Sequence, residues 1–201
     1  MIAIVDYDAG NMLSVAKALR HLGRDPVITR DTDVLARADS VILPGVGAFG
    51  DAMEKLSGYG LIPVIKDIIN TGRPFLGICL GLQLLYEGSD EAPGVGGIGA
   101  LEGRIRKIPA GEYKKIPHMG WNSLTFPNPG KLFSGINEGA YVYFVHSYYL
   151  EATDRNSVTA TCEYNVTIDA SVESGNVFAC QFHPEKSGDV GLHILENFVR
   201  L

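Results

Sequence analysis

Pro74-Phe75-Leu76-Gly77-Ile78-Cys79-Leu80-Gly81-Leu82-Gln83 is the stretch on which the fold turns. The apolar residues 74–76 lead into Gly77-Ile78-Cys79-Leu80-Gly81, and a helix-like segment follows over 80–86. A strand, a glycine-flanked nucleophile and a helix in that order describe a nucleophile elbow. The chain must turn sharply there, and the two glycines leave room for backbone that a side chain would crowd. The turn holds the Cys79 thiol at the sheet edge. A thiol at a helix N-terminus feels the positive end of the helix dipole and loses its proton more readily. Free cysteine is also a common small core residue. On these residues alone, a thiolate nucleophile and a packed thiol both remain open.

Outward from the elbow, the first half of the chain alternates strand and helix. Residues 2–5 form a strand. Asn11 is placed to cap a helix whose apolar residues Met12, Val15, Ala16, Leu19 and Leu22 recur with helical period, and Gly23 ends it. A strand over 26–29, a helix over 31–38, a strand over 40–43, a helix over 61–70 and a strand over 75–78 follow. Such alternation predicts parallel strands with right-handed helical crossovers. From about residue 101 to 181 the runs become short, β-branched or aromatic, and are split by Gly, Pro, Asn and Asp. Residues 141–145, 158–161 and 177–180 read as antiparallel or mixed strands. A last helix spans 190–199. With no repeat, low-complexity tract or linker, the expectation is one α/β domain over residues 1–201.

Composition narrows the function classes. The 201 residues are 46% hydrophobic and 20% charged, the balance of a globular protein. A net charge of −6 gives no electrostatic case for nucleic acid or an anionic membrane. No apolar run approaches the roughly 18–20 residues that span a bilayer. The start, Met1-Ile2-Ala3-Ile4-Val5-Asp6, lacks the basic segment and cleavage site of a signal peptide and reads as a strand. A cytosolic, cytoplasmic protein is expected. Cys79, Cys162 and Cys180 show no C-x-x-C spacing, which argues against a disulfide framework and against zinc. Cys162 and Cys180 read as packed thiols. None of the five histidines pairs with another at metal-binding spacing, so neither metal nor cofactor is expected.

Two further constellations bear on Cys79. Gln181-Phe182-His183-Pro184-Glu185-Lys186 follows a strand, and proline holds the residue before it extended. Residues two apart in extended backbone point the same way. His183 and Glu185 are therefore expected side by side, a base and the carboxylate that orients it. Alone, the pair reads more readily as a surface turn, and the elbow cysteine in the same chain reverses that preference. Pro44-Gly45-Val46-Gly47-Ala48-Phe49-Gly50 follows the 40–43 strand. In a parallel sheet this loop and the elbow share the carboxyl edge, where ligands bind. A backbone N–H near Val46 or Gly47, with that of Leu80, would form an oxyanion hole. No Lys-Ser/Thr follows the glycines, so a phosphate loop is the weaker reading.

The Gly-Ile-Cys-Leu-Gly-Leu-Gln elbow and the distant Phe-His-Pro-Glu resemble the triad, or class I, glutamine amidotransferases. Three more segments are similar to the glutaminase subunits of imidazole glycerol phosphate synthase: the 44–50 loop, Pro-His-Met-Gly-Trp-Asn from Pro117, and Tyr-Phe-Val-His-Ser-Tyr from Tyr143. The resemblance runs from Asp6-Tyr7 to the end of the chain. Asp8 stands where that family usually has glycine, and Asp tolerates left-handed backbone better than most residues. Leu82 replaces a frequent Met, a mild packing change. The 108–115 loop aligns least.

The resemblance implies a three-layer, flavodoxin-like α/β fold: a mostly parallel central sheet with an antiparallel or mixed second part. It implies hydrolysis of L-glutamine by Cys79, His183 and Glu185 through a cysteinyl thioester, with Val46, Gly47 and Leu80 around the oxyanion. The family's glutamine contacts map onto Gly47, Gln83, Glu91, Ser147 and Tyr148. The implied partner is the cyclase subunit, a (β/α)₈ barrel, in a heterodimer that uses the ammonia in histidine biosynthesis. Pro117, His118, Met119, Trp121, Asn122 and Tyr143 then belong to the interface and ammonia path, and Lys186 to an interface ion pair. Trp121 reads equally as a core residue. A further implication is near-inactivity of the glutaminase alone, an oxyanion-hole peptide near Val46 being misdirected until the partner's ligand is bound. The rival readings are the glutaminase of pyridoxal phosphate synthesis, a cysteine hydrolase or redox protein on a similar scaffold, and a non-catalytic regulator.

Overall fold

The chain runs through β1 (Ile2–Val5), α1 (Met12–His21), β2 (Val27–Thr29), α2 (Thr32–Arg37), β3 (Ser40–Leu43), α3 (Phe49–Gly58), α4 (Leu61–Asn70), β4 (Phe75–Ile78) and α5 (Leu80–Leu84). It continues through β5 (Gly103–Lys107), β6 (His118–Ser123), β7 (Tyr141–His146), β8 (Tyr148–Ala152), β9 (Val158–Tyr164), β10 (Val166–Ser174) and β11 (Val177–Cys180), and ends in α6 (Gly188–Val199). This computed structural model describes residues 1–8, 10–111 and 115–201. Ala9 and residues 112–114, and with them the middle of the 108–115 loop, lie outside the described residues.

A nine-stranded sheet has the order β2-β1-β3-β4-β11-β10-β8-β5, with β9 pairing β10 off that path. The five strands from β2 to β11 are mutually parallel. β10, β8, β5 and β9 pair antiparallel. β6 and β7 form a separate antiparallel ribbon. Direction changes where the βα alternation of the sequence gives way to hairpin-spaced strands, which pair antiparallel with their neighbours, and the β10–β11 hairpin returns β11 parallel to β4.

Side-chain alternation divides the core into two layers. Ala3, Val5, Val41, Leu43, Phe75, Val177 and Ala179 pack on one face with α3 and α4, through Phe49, Met53, Leu56, Leu61, Ile65 and Ile68. Ile4, Ile42, Leu76, Ile78, Phe178 and Cys180 pack on the other with Val15 and Leu19 of α1 and Ile194, Leu195 and Phe198 of α6. Val142 and Phe144 lay the β6–β7 ribbon on this second face. Central parallel strands are covered on both sides, so they read as continuous apolar runs. Each side chain fully buried this way contributes roughly 1.5–3 kcal/mol.

The structure revises three details of the sequence reading. Asn11 is left-handed (φ 80°) and makes no side-chain cap. Asp31 does cap α2, accepting from the backbone N–H groups of Asp33 and Val34. Helix α3 starts at Phe49, inside the 44–50 loop, where short spacing and three glycines hide its period. Asp8 is left-handed at φ 59°, as its position in the turn implies. Among the described residues no helix is long and apolar enough to cross a membrane.

Candidate active site

The elbow is built by close approach. A Cβ on Gly81 would lie 1.8 Å from the Leu43 carbonyl oxygen, and one on Gly77 would lie 2.8 Å from that of Gly81. Only glycine lets β3, β4 and α5 meet so tightly. Cys79 itself sits at φ 54°, ψ −107°, a sparsely populated region that costs about 1–3 kcal/mol for a non-glycine residue. Its N–H donates to the Cys180 carbonyl at 2.7 Å, tying the elbow to the end of β11.

His183 follows the same strand end. Its Nδ1 lies 2.7 Å from Glu185 Oε1, and the two side chains are 1% and 0% exposed. From the sequence, the pair is expected to meet through extended backbone. His183 is extended (φ −101°, ψ 96°), but residues 184–186 form a 3₁₀ turn, and this turn brings the carboxylate under the ring. The backbone is clamped to β7: His183 N–H donates to the Tyr143 carbonyl at 2.9 Å, and Ser187 Oγ donates to the His183 carbonyl at 2.6 Å. Ser187 Oγ in turn accepts the Tyr143 N–H at 2.9 Å.

Nδ1 being committed to Glu185, the remaining ring nitrogen is Nε2, which is buried with no hydrogen-bond partner among the described residues. Glu185 Oε2 is likewise buried and unpartnered. Burial lowers the basicity of the imidazole, but Cys79 and Glu185 outweigh it and raise His183 to about 9. That direction favours the protonated ring, an acid with a proton to give. Asn11 Nδ2 donates to Glu185 Oε1 and lies 3.4 Å from His183 Nδ1. Asn11 thus braces the pair instead of capping α1.

A cavity of about 450 Å³ opens over Cys79. Val46, Gly47, Leu80, Gln83, Glu91, Pro117, His146, Ser147, Tyr148 and Lys186 line it. Every residue mapped to oxyanion or glutamine binding borders this space. Three details differ from the simplest picture. The Leu80 N–H already donates to the Gly45 carbonyl at 3.3 Å, so it is not a free donor. That bond is long, and an oxyanion would outcompete a neutral carbonyl for it. Glu91 Oε2 accepts the Phe49 N–H at 2.8 Å, capping α3, with its second oxygen left for a ligand. The Gln83 amide gives its N–H groups to the Tyr148 carbonyl and to Gln181 Oε1, both at 3.0 Å, which leaves only its oxygen for a ligand.

The residues mapped to the interface divide by strand alternation. Met119 and Trp121 are 62% and 54% exposed, so Trp121 is not a core residue. Trp121 lies opposite Tyr143 in the ribbon, their rings meeting edge to face at 6.0 Å. Tyr141, also exposed, extends this face and was not singled out in the sequence. His118 instead points inward: it is 2% exposed, stacked on Phe144 and Tyr164, with Nδ1 2.9 Å from His146 Nε2. Asn122 is half-buried and donates to the Glu163 carbonyl. The ribbon's outward face runs to the cavity mouth at Val145 and Pro117.

Sequence reasoning missed Asn11, Ser187 and Gln181. The register of β11 on β4 pairs Cys180 with Ile78, so Gln181 and Cys79, each one residue past a strand end, are neighbours. Gln181 Nε2 lies 3.6 Å from Cys79 Sγ. Strand pairing between β4 and β11 was the missing information. Cys162 and Cys180 are buried and joined in no disulfide, and burial raises the Cys180 thiol well above its ordinary range. No group of three or more His, Cys, Asp or Glu among the described residues is placed to hold a metal ion.

Comparison with known proteins sets this geometry beside others. Residues 3–201 match the family described as Glutamine amidotransferase class-I. The chain is 50% identical over 200 residues to the imidazole glycerol phosphate synthase subunit HisH of Moorella thermoacetica, covering 100% of this chain and 94% of that one. It is 50% identical over 201 residues to the HisH subunit of Methanothermobacter thermautotrophicus, covering 100% and 98%. A crystal structure of a glutamine amidotransferase superposes with a TM-score of 0.77 at 20% identity, over 99% of this chain and 100% of that chain, a likeness of fold.

Proposed function

The chain belongs to the class I glutamine amidotransferases and, within them, to the HisH subunits of imidazole glycerol phosphate synthase, and from that premise we propose how its residues release ammonia from glutamine. It is a glutaminase of histidine biosynthesis. Cys79 is the nucleophile, His183 the acid and base, and Glu185 the carboxylate that orients and charges the ring. The observation that carries this assignment is the buried His183–Glu185 contact at 2.7 Å, which leaves Nε2 as the one unpartnered nitrogen of the ring.

The Cys79 sulfur attacks the carboxamide carbon of glutamine, and the carbonyl π-electrons move onto oxygen. Backbone N–H groups of the Val46–Gly47 segment and of Leu80 receive that charge, the latter on release from Gly45. His183 Nε2–H protonates the departing nitrogen, the C–N bond breaks and ammonia leaves a thioester. A water then gives its proton to Nε2 and attacks the thioester, and collapse returns Cys79 and glutamate. Glu91 meets the substrate ammonium, Gln83 accepts through its free oxygen, and Ser147 and Tyr148 flank the chain of the substrate.

Ammonia set free in water is protonated near neutral pH and lost as a nucleophile. The ribbon face of Met119, Trp121, Tyr141 and Tyr143 at the cavity mouth suits a partner that covers the exit. We read that partner as the cyclase subunit, a (β/α)₈ barrel, in a cytoplasmic heterodimer, with Lys186 available for an ion pair across the contact. Gly47 at φ 109° beside exposed Val46 gives the oxyanion segment freedom to rearrange when the partner's ligand binds. Glutamate release is measured for this chain alone and with the cyclase subunit and its nucleotide, for wild type and Cys79→Ala. Activity is expected only in the assembled wild type, while Cys79→Ala retains synthesis from added ammonium salt. Full activity of the isolated chain sinks the partner-gated reading, and glutaminase activity in Cys79→Ala sinks the nucleophile.

A further inference from the structure

Gln181 is wholly buried at the end of β11, and its amide nitrogen lies 3.6 Å from the Cys79 sulfur. We propose that Gln181 is a positioning residue for the nucleophile: its N–H stabilises the Cys79 thiolate, and Gln83 and His146, meeting at the Tyr148 carbonyl, hold the amide in its donating orientation. The proposal rests on Cys79 being the nucleophile.

A primary amide can present either nitrogen or oxygen to a neighbour, so its sense must be fixed from outside. Gln83 Nε2 donates to Gln181 Oε1 at 3.0 Å, which makes that atom the acceptor and turns the Gln181 N–H groups to the sulfur. Gln83 is fixed in turn by its second N–H, which donates to the Tyr148 carbonyl at 3.0 Å. A backbone carbonyl only accepts, so Gln83 cannot reverse there. The same carbonyl accepts from His146 Nδ1 at 2.8 Å, filling its second lone pair. His146 must therefore carry its proton on Nδ1, and its Nε2 accepts from His118 Nδ1 at 2.9 Å. One backbone oxygen thus sets the sense of Gln83 and Gln181 on one side and of His146 and His118 on the other. Burial pushes His146 down to about 3, so the ring stays neutral and its tautomer does not change through the working pH range.

The chemical consequence lies at the sulfur. An N–H donated to a thiolate stabilises the anion more than the thiol, and a hydrogen bond to a charged acceptor in a dry site is among the stronger ones. It also holds the sulfur against rotation at an elbow whose backbone is already strained. The effect appears in bond making, not in substrate binding, because Gln181 is buried behind Cys79 and does not line the cavity.

The test uses the complex of this chain with its cyclase subunit. Glutaminase kinetics, and the rate at which iodoacetamide alkylates Cys79 at pH 7 followed by peptide mass, are compared for wild type, Gln181→Met, Gln181→Glu and Cys79→Ala. Gln181→Met keeps the volume and removes the donor. It lowers kcat and the alkylation rate together, by about tenfold to a hundredfold, with KM within about twofold. Gln181→Glu still accepts from Gln83 but turns a carboxylate to the sulfur, and falls at least as far. If Gln181→Met does not fold, the near-isosteric glutamate variant decides by the same two readings. Wild-type kcat and alkylation in a folded Gln181 variant overturn the proposal, as does a loss confined to KM. Activity in Cys79→Ala instead removes the nucleophile assignment beneath it.

Discussion

Replacing Glu185 with glutamine isolates what the carboxylate does for the imidazole. The side chains are nearly isosteric, and the glutamine oxygen can still accept from Nδ1, so the ring keeps its tautomer and only the charge is lost. His183 stands at about 9 because Cys79 and Glu185 together outweigh the burial that lowers it. A hydrogen bond to a charged partner contributes about 1.5–3 kcal/mol and one between neutral groups about 1. The difference, about 1.5 kcal/mol, corresponds to about one pH unit. The alkaline limb of kcat, set by loss of the proton that the leaving ammonia needs, should move from near pH 9 to near pH 8 in Glu185→Gln. At the plateau kcat should fall about tenfold, since the weaker contact orients the ring less firmly. The assay is glutamate release from the assembled synthase between pH 6 and pH 10, with a thermal melt to confirm folding. An alkaline limb left near pH 9 in the folded variant would show that Glu185 does not charge the ring, and the reasoning fails.

Other outcomes follow from the same geometry. Gly81→Ala places a Cβ 1.8 Å from the Leu43 carbonyl oxygen, an impossible contact, and should destabilise the protein by about 3 kcal/mol or more in urea unfolding; near-native stability would mean that β3 and α5 separate easily. Stability should peak near pH 6–7 in thermal melts. His183, raised to about 9, contributes stability that is complete below its unfolded value of 6.5 and is lost as pH rises through 9. His146, lowered to about 3, acts oppositely: the unfolded chain takes up the proton first, so stability is lost as pH falls below 6.5, by about 2 kcal/mol at pH 5. His146→Gln should flatten that acid loss, and an unchanged acid slope would assign it elsewhere. Trp121→Ala should weaken association with the cyclase subunit about tenfold or more by titration calorimetry, with the melt unchanged, because the ring is exposed on the ribbon face; unaltered affinity would move the contact off this face.

The sequence carried its information locally. Continuous apolar runs at 40–43, 75–78 and 177–180 and the periodic helix at 61–70 stand in the structure with those bounds, because short-range burial patterns determine them. Helix α3 was hidden by the glycines of the loop it grows from, and the 3₁₀ turn at 184–186 by a proline that reads as extended. Cys79, His183 and Glu185, the proposed triad, stand out by residue type in the elbow and the turn. Their mutual placement does not, since His183 lies 104 positions beyond Cys79 and only the pairing of β4 with β11 brings the two strand ends together.

That pairing also decided what surrounds the site. Asn11 has the composition of a helix cap and becomes a brace for Glu185, because the β1–α1 turn lies across the sheet edge from β11. Trp121 and His118 are close in sequence, yet one is exposed and the other buried, because strand alternation sends them to opposite faces of a ribbon whose packed side is fixed only by the sheet beneath. The elbow, the strand periods and the residue types of the proposed triad belong to the sequence by itself, being set by sterics and burial over a few residues. The sense of the Gln83 and Gln181 amides, the hold of Gly45 on the Leu80 N–H and the outward face of the ribbon belong to the tertiary structure, because each depends on a backbone group brought in from a distant strand or loop.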